Sequence, residues 1–272
     1  MTWLALLICA QTGPVRDIPY VDKGAPEQRL DLFLPSKRPF ATVVFTYGSG
    51  WHAPRSKNMD QIAEAIVGMG YGCVLISHRL GPKDKFPAQA EDLASAIAWT
   101  KHSIARYGGR PDSIIAMGHS SGAHLTLLVA TDPRYLAVHH LTSRDLTAVV
   151  GLSTPTNLEP NGPEPDFGDV LMSGRGAETF DRDPKLMKDA SPINHVAAGL
   201  PPTLLVVGEQ DFPALPGDAA KFQQAAQKAG DQVELMTAPK CDHLGTVAAL
   251  IDPASPIRKR VQEFLAAHGT KN

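Results

Sequence analysis

The amino-acid sequence predicts an α/β fold in which helices cover both faces of a mainly parallel central sheet. Short apolar runs rich in β-branched residues alternate with longer stretches whose apolar residues recur at helical spacing, and this alternation is typical of sheets built from strand–helix–strand units. The 272 residues are enough for one large domain with a sizeable core. The segment Gly118-His119-Ser120-Ser121-Gly122 lies between an apolar run and a helix-like stretch, which predicts a sharp strand-to-helix turn.

The composition argues against several classes of partner. The 26 basic and 28 acidic side chains give a formal net charge of −2, and no long basic run is present, so nucleic acid is not an expected partner. No apolar stretch is long enough to span a bilayer. Cys9, Cys73 and Cys241 show neither metal-ligand spacing nor a disulfide framework. We therefore expect no metal and no cofactor. The oligomeric state does not follow from the sequence.

The first residues resemble an export signal. Residues 3–10 are apolar, with the small Ala10 near their end, although no Lys or Arg precedes them. Residues 1–13 are therefore predicted to be an export signal or a disordered N-terminus, and the protein is expected to be secreted or periplasmic. A cytoplasmic location is the alternative. A single domain is predicted over residues 14–272.

The elements that follow are assigned in chain order. Residues 15–21 and 29–34 are predicted strands that flank a polar turn, and Leu30 and Leu32 alternate with Asp31 as in a half-buried strand. Apolar runs of four to six residues, which predict buried strands, cover residues 42–47, 73–77, 114–117, 148–152, 203–208 and 233–237. Helical spacing or helix-like composition predicts helices over residues 58–68, 92–106, 123–130, 219–229 and 257–267.

One stretch breaks the regular alternation. Residues 154–194 are rich in Pro, Gly and Asp and contain only short apolar pieces. A connection of that length is unusual between two strands of one sheet, and long loops of this kind often cover a binding site. We expect a short, irregular cap or lid.

The turn at Ser120 has the chemistry of a nucleophile. A serine projected from a sharp strand-to-helix turn needs flanking glycines, because side chains there would collide with neighbouring backbone. The turn exposes the Ser120 hydroxyl and places the first N–H groups of the next helix beside it, where they can stabilise a developing negative charge.

A serine hydroxyl needs a base, and the base needs an orienting acid. In a parallel sheet these groups are expected at the carboxyl ends of later strands, at the edge that carries Ser120. Asp211 lies three residues past the strand that ends at Gly208, and His243 lies in the loop after the next strand. The order Ser, Asp, His predicts Asp211 as the acid and His243 as the base.

Other residues compete for these two roles. His195, which follows the irregular stretch, is the second choice for the base, and Asp218 and Glu209 are alternatives for the acid. His119 is expected to point away from the reacting groups, although it flanks the serine.

An oxyanion hole is also required. One donor is expected to be the N–H of Ser121, directly after the nucleophile. The others are expected in the loop after an early strand, where the sequence has Gly48-Ser49-Gly50-Trp51. Ser49, Gly50 and Ser121 are therefore the predicted oxyanion donors.

These features occur together with longer motifs, which are Leu30 to Pro35, His78-Arg79-Leu80-Gly81-Pro82, Tyr107 to Asp112, Gly118 to Leu125, Ser191-Pro192-Ile193-Asn194 and Gly208-Glu209-Gln210-Asp211. With them the chain resembles, over nearly its whole length, the α/β-hydrolase esterases of the H-G-G-x-W group. That group includes carboxylesterases, feruloyl-esterase-like bacterial enzymes and kynurenine formamidases. The resemblance implies an α/β-hydrolase fold.

The sequence departs from the group in the oxyanion loop. Tyr47-Gly48-Ser49-Gly50-Trp51 stands where His-Gly-Gly-x-Trp is expected. Tyr47 replaces a histidine that braces the loop, and Ser49 replaces a glycine. Serine keeps the N–H but not the ease of adopting positive φ, so we expect a reshaped hole.

The function predicted from these residues is that of a serine hydrolase. It would cleave carboxylic esters of small to medium acyl groups through a Ser-His-Asp triad and an acyl-enzyme, with a small ester as its molecular partner. An amide hydrolase of the formamidase or peptidase kind is one alternative, and a non-catalytic binding protein of the same fold is another.

Overall fold

A computed structural model describes residues 13–160 and 167–271 of the chain. Within this part, the eight strands are β1 (Val15–Pro19), β2 (Arg29–Phe33), β3 (Phe40–Thr46), β4 (Gly72–Ile76), β5 (Gly109–His119), β6 (Leu146–Leu152), β7 (Thr203–Gln210) and β8 (Val233–Asp242). Residues 1–12 of the predicted export segment, including Cys9, lie outside the described residues.

The strands form one sheet in the order β1-β2-β4-β3-β5-β6-β7-β8. Strand β2 pairs antiparallel with β1 and with β4, and every other neighbouring pair is parallel. The parallel strands β3, β5, β6, β7 and β8 are consecutive in the sheet, so their carboxyl ends share one edge. The predicted α/β class with a mainly parallel sheet is confirmed.

Helices pack on both faces of the sheet. Those in the described residues are α1 (Met59–Gly68), α2 (Ala88–Ser103), α3 (Ser121–Thr131), α4 (Pro133–Ala137), α5 (Phe167–Ser173), α6 (Pro184–Asp189), α7 (Leu215–Lys228), α8 (Gly245–Ala248) and α9 (Pro256–His268). None of these helices is long and apolar enough to cross a membrane.

The core consists of two layers, one on each side of the sheet. Successive side chains of a strand point to opposite faces, and β3 shows this directly: Val44 belongs to the layer covered by α2, α3 and α7, whereas Val43 and Phe45 belong to the layer covered by α1 and α9. Burial on both faces explains why the central strands are continuous apolar runs rather than alternating ones.

The segment between β6 and β7 differs from the regular units around it. Its described residues contain α5, α6 and two 3₁₀ turns, Arg175–Phe180 and Pro192–His195. Phe180 is fully buried and packs edge-on against Trp51, at a centroid distance of 5.2 Å. This segment therefore contacts the glycine-rich loop that follows β3.

Candidate active site

Ser120 lies on the turn between β5 and α3, in a backbone conformation that non-glycine residues rarely adopt, with φ 54° and ψ −126°. Sterics explain the two glycines around it. A Cβ on Gly118 would lie 2.5 Å from the carbonyl oxygen of Gly122, and a Cβ on Gly122 would lie 2.2 Å from the carbonyl oxygen of Thr46. The turn can therefore adopt this conformation and pack against β3 only if both positions lack side chains.

His243 connects Ser120 to Asp211. Its Nε2 lies 2.8 Å from the Ser120 Oγ, and its Nδ1 lies 2.6 Å from the Asp211 Oδ1. Because an ionised carboxylate can only accept hydrogen bonds, the Nδ1 carries the proton and the Nε2 presents its lone pair to the serine hydroxyl. The three residues come from the ends of β5, β7 and β8, and the structure brings them together.

The Asp211 carboxyl is almost fully enclosed and receives several hydrogen bonds. Its Oδ1 also accepts from the Phe212 N–H at 2.9 Å, and its Oδ2 accepts from the Ser153 hydroxyl at 2.5 Å. Burial alone would raise the pKa of Asp211, but the hydrogen bonds from His243 and Ser153 outweigh burial and hold that pKa below its usual value. Asp211 is therefore an anion at neutral pH.

Two rings enclose the imidazole of His243. The Phe212 ring lies 4.5 Å from it and the His119 ring 5.0 Å from it, between centroids. The Nε2 of His119 donates to the His243 carbonyl oxygen at 2.9 Å. Burial lowers the pKa of His119 to about 4, so this second ring is neutral. His119 therefore contacts the site directly, contrary to the expectation that it would point away.

The alternative residues have other partners. His195 donates from its Nε2 to the Asp189 carbonyl oxygen at 2.6 Å. Glu209 accepts from the Lys240 N–H at 2.9 Å, and Asp218 lies on α7, where its Oδ1 is 3.3 Å from the Lys221 Nζ.

The loop after β3 packs directly on the serine turn. A Cβ on Gly48 would lie 2.7 Å from the Cβ of Ser120. Gly50 and Trp51 have φ of +63°, whereas Ser49 has no positive φ. The positive φ that favours glycine therefore occurs at the two residues after Ser49, which explains why a serine is tolerated at position 49.

The three predicted oxyanion donors are not equivalent. The Ser49 N–H donates to the Ser121 Oγ at 2.9 Å. For the N–H groups of Gly50 and Ser121, no acceptor is found in the part of the chain that the structure describes. Gly50 and Ser121 therefore offer unengaged donors, whereas the Ser49 N–H is held by a buried hydroxyl.

Side chains at both ends brace this loop. The Tyr47 hydroxyl donates to the Ala53 carbonyl oxygen at 3.3 Å, and the Tyr47 ring stacks on His78 with centroids 5.0 Å apart. Trp51 donates from its Nε1 to the Nδ1 of His124 at 3.1 Å. Tyr47 thus ties the two ends of the loop together and braces it in place of the histidine of the group.

Replacing Ser49 by alanine is expected to change kcat by no more than a few-fold. The Ser49 Oγ is buried beside Tyr47 without a well-oriented hydrogen bond to any described residue, and alanine keeps both the Cβ and the N–H. Steady-state kinetics on a small ester would test this. Ser121→Ala, which removes the hydroxyl that holds the Ser49 N–H, should cost more. A fall of about a hundredfold for Ser49→Ala, the loss typical of an oxyanion donor, would contradict the expectation.

No group of three or more His, Cys, Asp or Glu side chains able to hold a metal ion is found among residues 13–160 and 167–271.

Comparison with solved structures identifies the fold as that of the α/β-hydrolases. A truncated carbohydrate esterase from gut microbiota superposes with a TM-score of 0.81 at 22% identity, covering 96% of this chain and 97% of that one. Esterase 2 of Thermogutta terrifontis superposes with a TM-score of 0.70 at 24% identity, covering 92% and 91%. The chain belongs to the BD-FAE family, whose model matches residues 30–225.

Two of the curated relatives from Mycobacterium tuberculosis show the extent of the similarity. Esterase LipC is 32% identical over 68% of this chain and 49% of its own length. Esterase LipQ is 31% identical over 94% of this chain and 62% of its own length. The chain thus spans about half to three fifths of these relatives.

Proposed function

We propose that this protein is a serine hydrolase that cleaves carboxylic esters of small to medium acyl groups. The observation that carries the proposal is the unbroken hydrogen-bonded chain from Ser120 through His243 to Asp211, with distances of 2.8 and 2.6 Å. The names of the relatives, both esterases, support ester rather than amide chemistry.

In the first half of the proposed reaction, the Ser120 Oγ attacks the acyl carbon of the ester as the Nε2 of His243 takes its proton. The anionic Asp211 stabilises the imidazolium that results. The N–H groups of Gly50 and Ser121 donate to the oxyanion. The Ser49 N–H donates to the oxyanion as well only if it shares its hydrogen with the Ser121 Oγ or breaks its bond to that atom. His243 then protonates the alkoxide that leaves, and an acyl-enzyme remains on Ser120.

In the second half, water takes the place of the alcohol. His243 removes a proton from the water, whose oxygen attacks the acyl carbon, and the same donors stabilise the second oxyanion. Collapse of that intermediate releases the carboxylic acid and returns the proton to Ser120.

A hydrolysis panel tests the proposal. It uses p-nitrophenyl esters from acetyl to palmitoyl, acetylated xylan, feruloyl esters and N-formylkynurenine, and it measures kcat/KM. We expect the highest values for acetyl to butyryl esters, because the insert is short and has few aromatic residues to build a long pocket. A steady climb in kcat/KM to palmitoyl would reject the size preference, and a preference for N-formylkynurenine would replace ester by amide chemistry.

Labelling by a fluorophosphonate separates an enzyme from a binding protein. Such a reagent reacts with an activated serine, so mass spectrometry is expected to find the adduct on Ser120. An unlabelled Ser120 in folded protein would favour a non-catalytic binding protein.

A further inference from the structure

Ser153 follows the last residue of β6, at the sheet edge that carries the reacting groups. It is fully buried, and its N–H donates to the Val206 carbonyl oxygen at 2.7 Å. Its φ of +51° is unfavourable for a residue with a Cβ. A serine held in such a conformation at an active site calls for a reason beyond packing.

The Ser153 hydroxyl contacts the groups that support both the acid and the base. Its Oγ lies 2.5 Å from the Asp211 Oδ2, 2.7 Å from the Thr246 Oγ1 and 3.3 Å from the His243 carbonyl oxygen. The Thr246 Oγ1 lies 3.0 Å from that same carbonyl oxygen.

Counting protons assigns the direction of these bonds. The Asp211 carboxylate can only accept, so the single hydroxyl proton of Ser153 goes to Asp211, its shortest contact. The Ser153 Oγ is then free to accept from Thr246, whose single hydroxyl proton is shared between this oxygen at 2.7 Å and the His243 carbonyl oxygen at 3.0 Å. Apart from Ser153, the Asp211 Oδ2 has only the Gly208 N–H at 3.4 Å among the described residues. The hydroxyl of Ser153 is thus the main donor to the carboxylate oxygen that His243 does not use.

We propose that Ser153 is a positioning residue of the catalytic machinery, which fixes the Asp211 carboxylate against His243 and moderates its basicity, with Thr246 as its own support. This inference rests on the proposed serine hydrolase function and adds a residue to it. A carboxylate that loses a hydrogen-bond donor concentrates more negative charge on the oxygen facing His243.

The expected result follows from that charge. In Ser153→Gly and Ser153→Ala, a more basic Asp211 holds the imidazolium more strongly, so a higher pH is needed to free the base. The acid limb of the kcat/KM profile should move upward, by about half a pH unit, and kcat should fall about tenfold at nearly constant KM as the orientation of the imidazole loosens. The titratable groups facing or flanking His243, which are Asp211, His119, Asp242 and Cys241, are the same in every variant.

Two variants separate the effect of losing the Ser153 hydrogen bond from the effect of relieving its backbone strain. Ser153→Gly relieves the unfavourable φ and should fold at least as well as the native chain, whereas Ser153→Ala keeps the Cβ. Both lack the hydroxyl, so both should show the same displaced acid limb. The matched control is Thr154→Val, which removes a buried hydroxyl that has no hydrogen-bond partner among the described residues, and it should keep the native profile.

A second measurement does not depend on turnover. The proton between the His243 Nδ1 and Asp211 should give a far-downfield NMR resonance, and Ser153→Gly should shift it. An unchanged acid limb and an unmoved resonance in Ser153→Gly would overturn the inference. If the native protein hydrolyses no ester and Ser120 takes no label, the proposed function fails instead, and the two failures are distinguishable.

Discussion

Ser120→Ala is expected to lower kcat for a small ester by about 10⁵-fold or more, to the level supported by binding and the oxyanion donors alone. Alanine has no atom that can attack the acyl carbon, and the Nε2 of His243, 2.8 Å from the lost oxygen, would face only water. KM should change little, because the pocket and the loop after β3 are untouched. Steady-state kinetics with p-nitrophenyl acetate would measure the fall.

Two further variants sharpen this result. His243→Ala should cost about as much as Ser120→Ala, and the double variant should cost hardly more than either, because the two groups act as a unit. Ser95→Ala, on α2 and away from the sheet edge, should leave kcat unchanged. Circular dichroism must show the native fold in each case. If Ser120→Ala kept a tenth of native kcat, Ser120 would not be the nucleophile.

The proximity of Ser120, Asp211 and His243 could be predicted because one rule of sheet geometry brings them together. Parallel strands present their carboxyl ends at the same edge, so residues that directly follow β5, β7 and β8 must lie near one another. This prediction needs only the positions of the strands and their order along the chain, both of which the apolar runs indicate. It does not need the side-chain contacts.

The end of the last strand was predicted five residues too early. The predicted strand stops at residue 237, because Ala238-Pro239-Lys240 is neither apolar nor β-rich, whereas β8 continues to Asp242. Its pairing with β7 shifts register between Gly208 and Gln210, and Lys240 has a φ of +55°. A proline is tolerated there because β8 is an edge strand and the region is a bulge. His243 therefore follows β8 directly instead of lying within a longer loop.

Nothing in the local sequence indicates the contacts that hold the residues of the candidate site in place. Ser153 meets Asp211 across 58 residues of sequence, and the Ser49 N–H meets the Ser121 Oγ across 72. His119 contacts His243 across 124. Serine and histidine are common near strand ends, and nothing in the neighbouring residues distinguishes those that reach another strand. Ser153 could have been suspected only from its place directly after the strand between β5 and β7.

Asp211→Asn is expected to lower kcat by about 10⁴-fold while leaving the structure intact. Asparagine is nearly isosteric with aspartate, so packing around the imidazole is retained, but the anion that stabilises the imidazolium is lost. The side-chain NH₂ can turn toward the Nδ1 of His243, now 2.6 Å from a carboxylate oxygen, and donate to it. That tautomer places the ring proton on the Nε2, which can then no longer accept the proton of Ser120.

The matched control for this change is Asp218→Asn, which alters another buried aspartate of the same region, on α7. Its Oδ1 pairs with the largely exposed Lys221 at 3.3 Å, whereas the Nδ1 of His243 pairs with Asp211, so kcat should stay at the native level. Both variants should be measured across the pH range, because an asparagine at position 211 removes the stabilised imidazolium at every pH rather than moving one limb of the profile. Near-full activity in Asp211→Asn together with loss of activity in Asp218→Asn would assign the role of the acid to Asp218. That outcome would also remove the basis of the role proposed for Ser153, whose hydroxyl donates to Asp211.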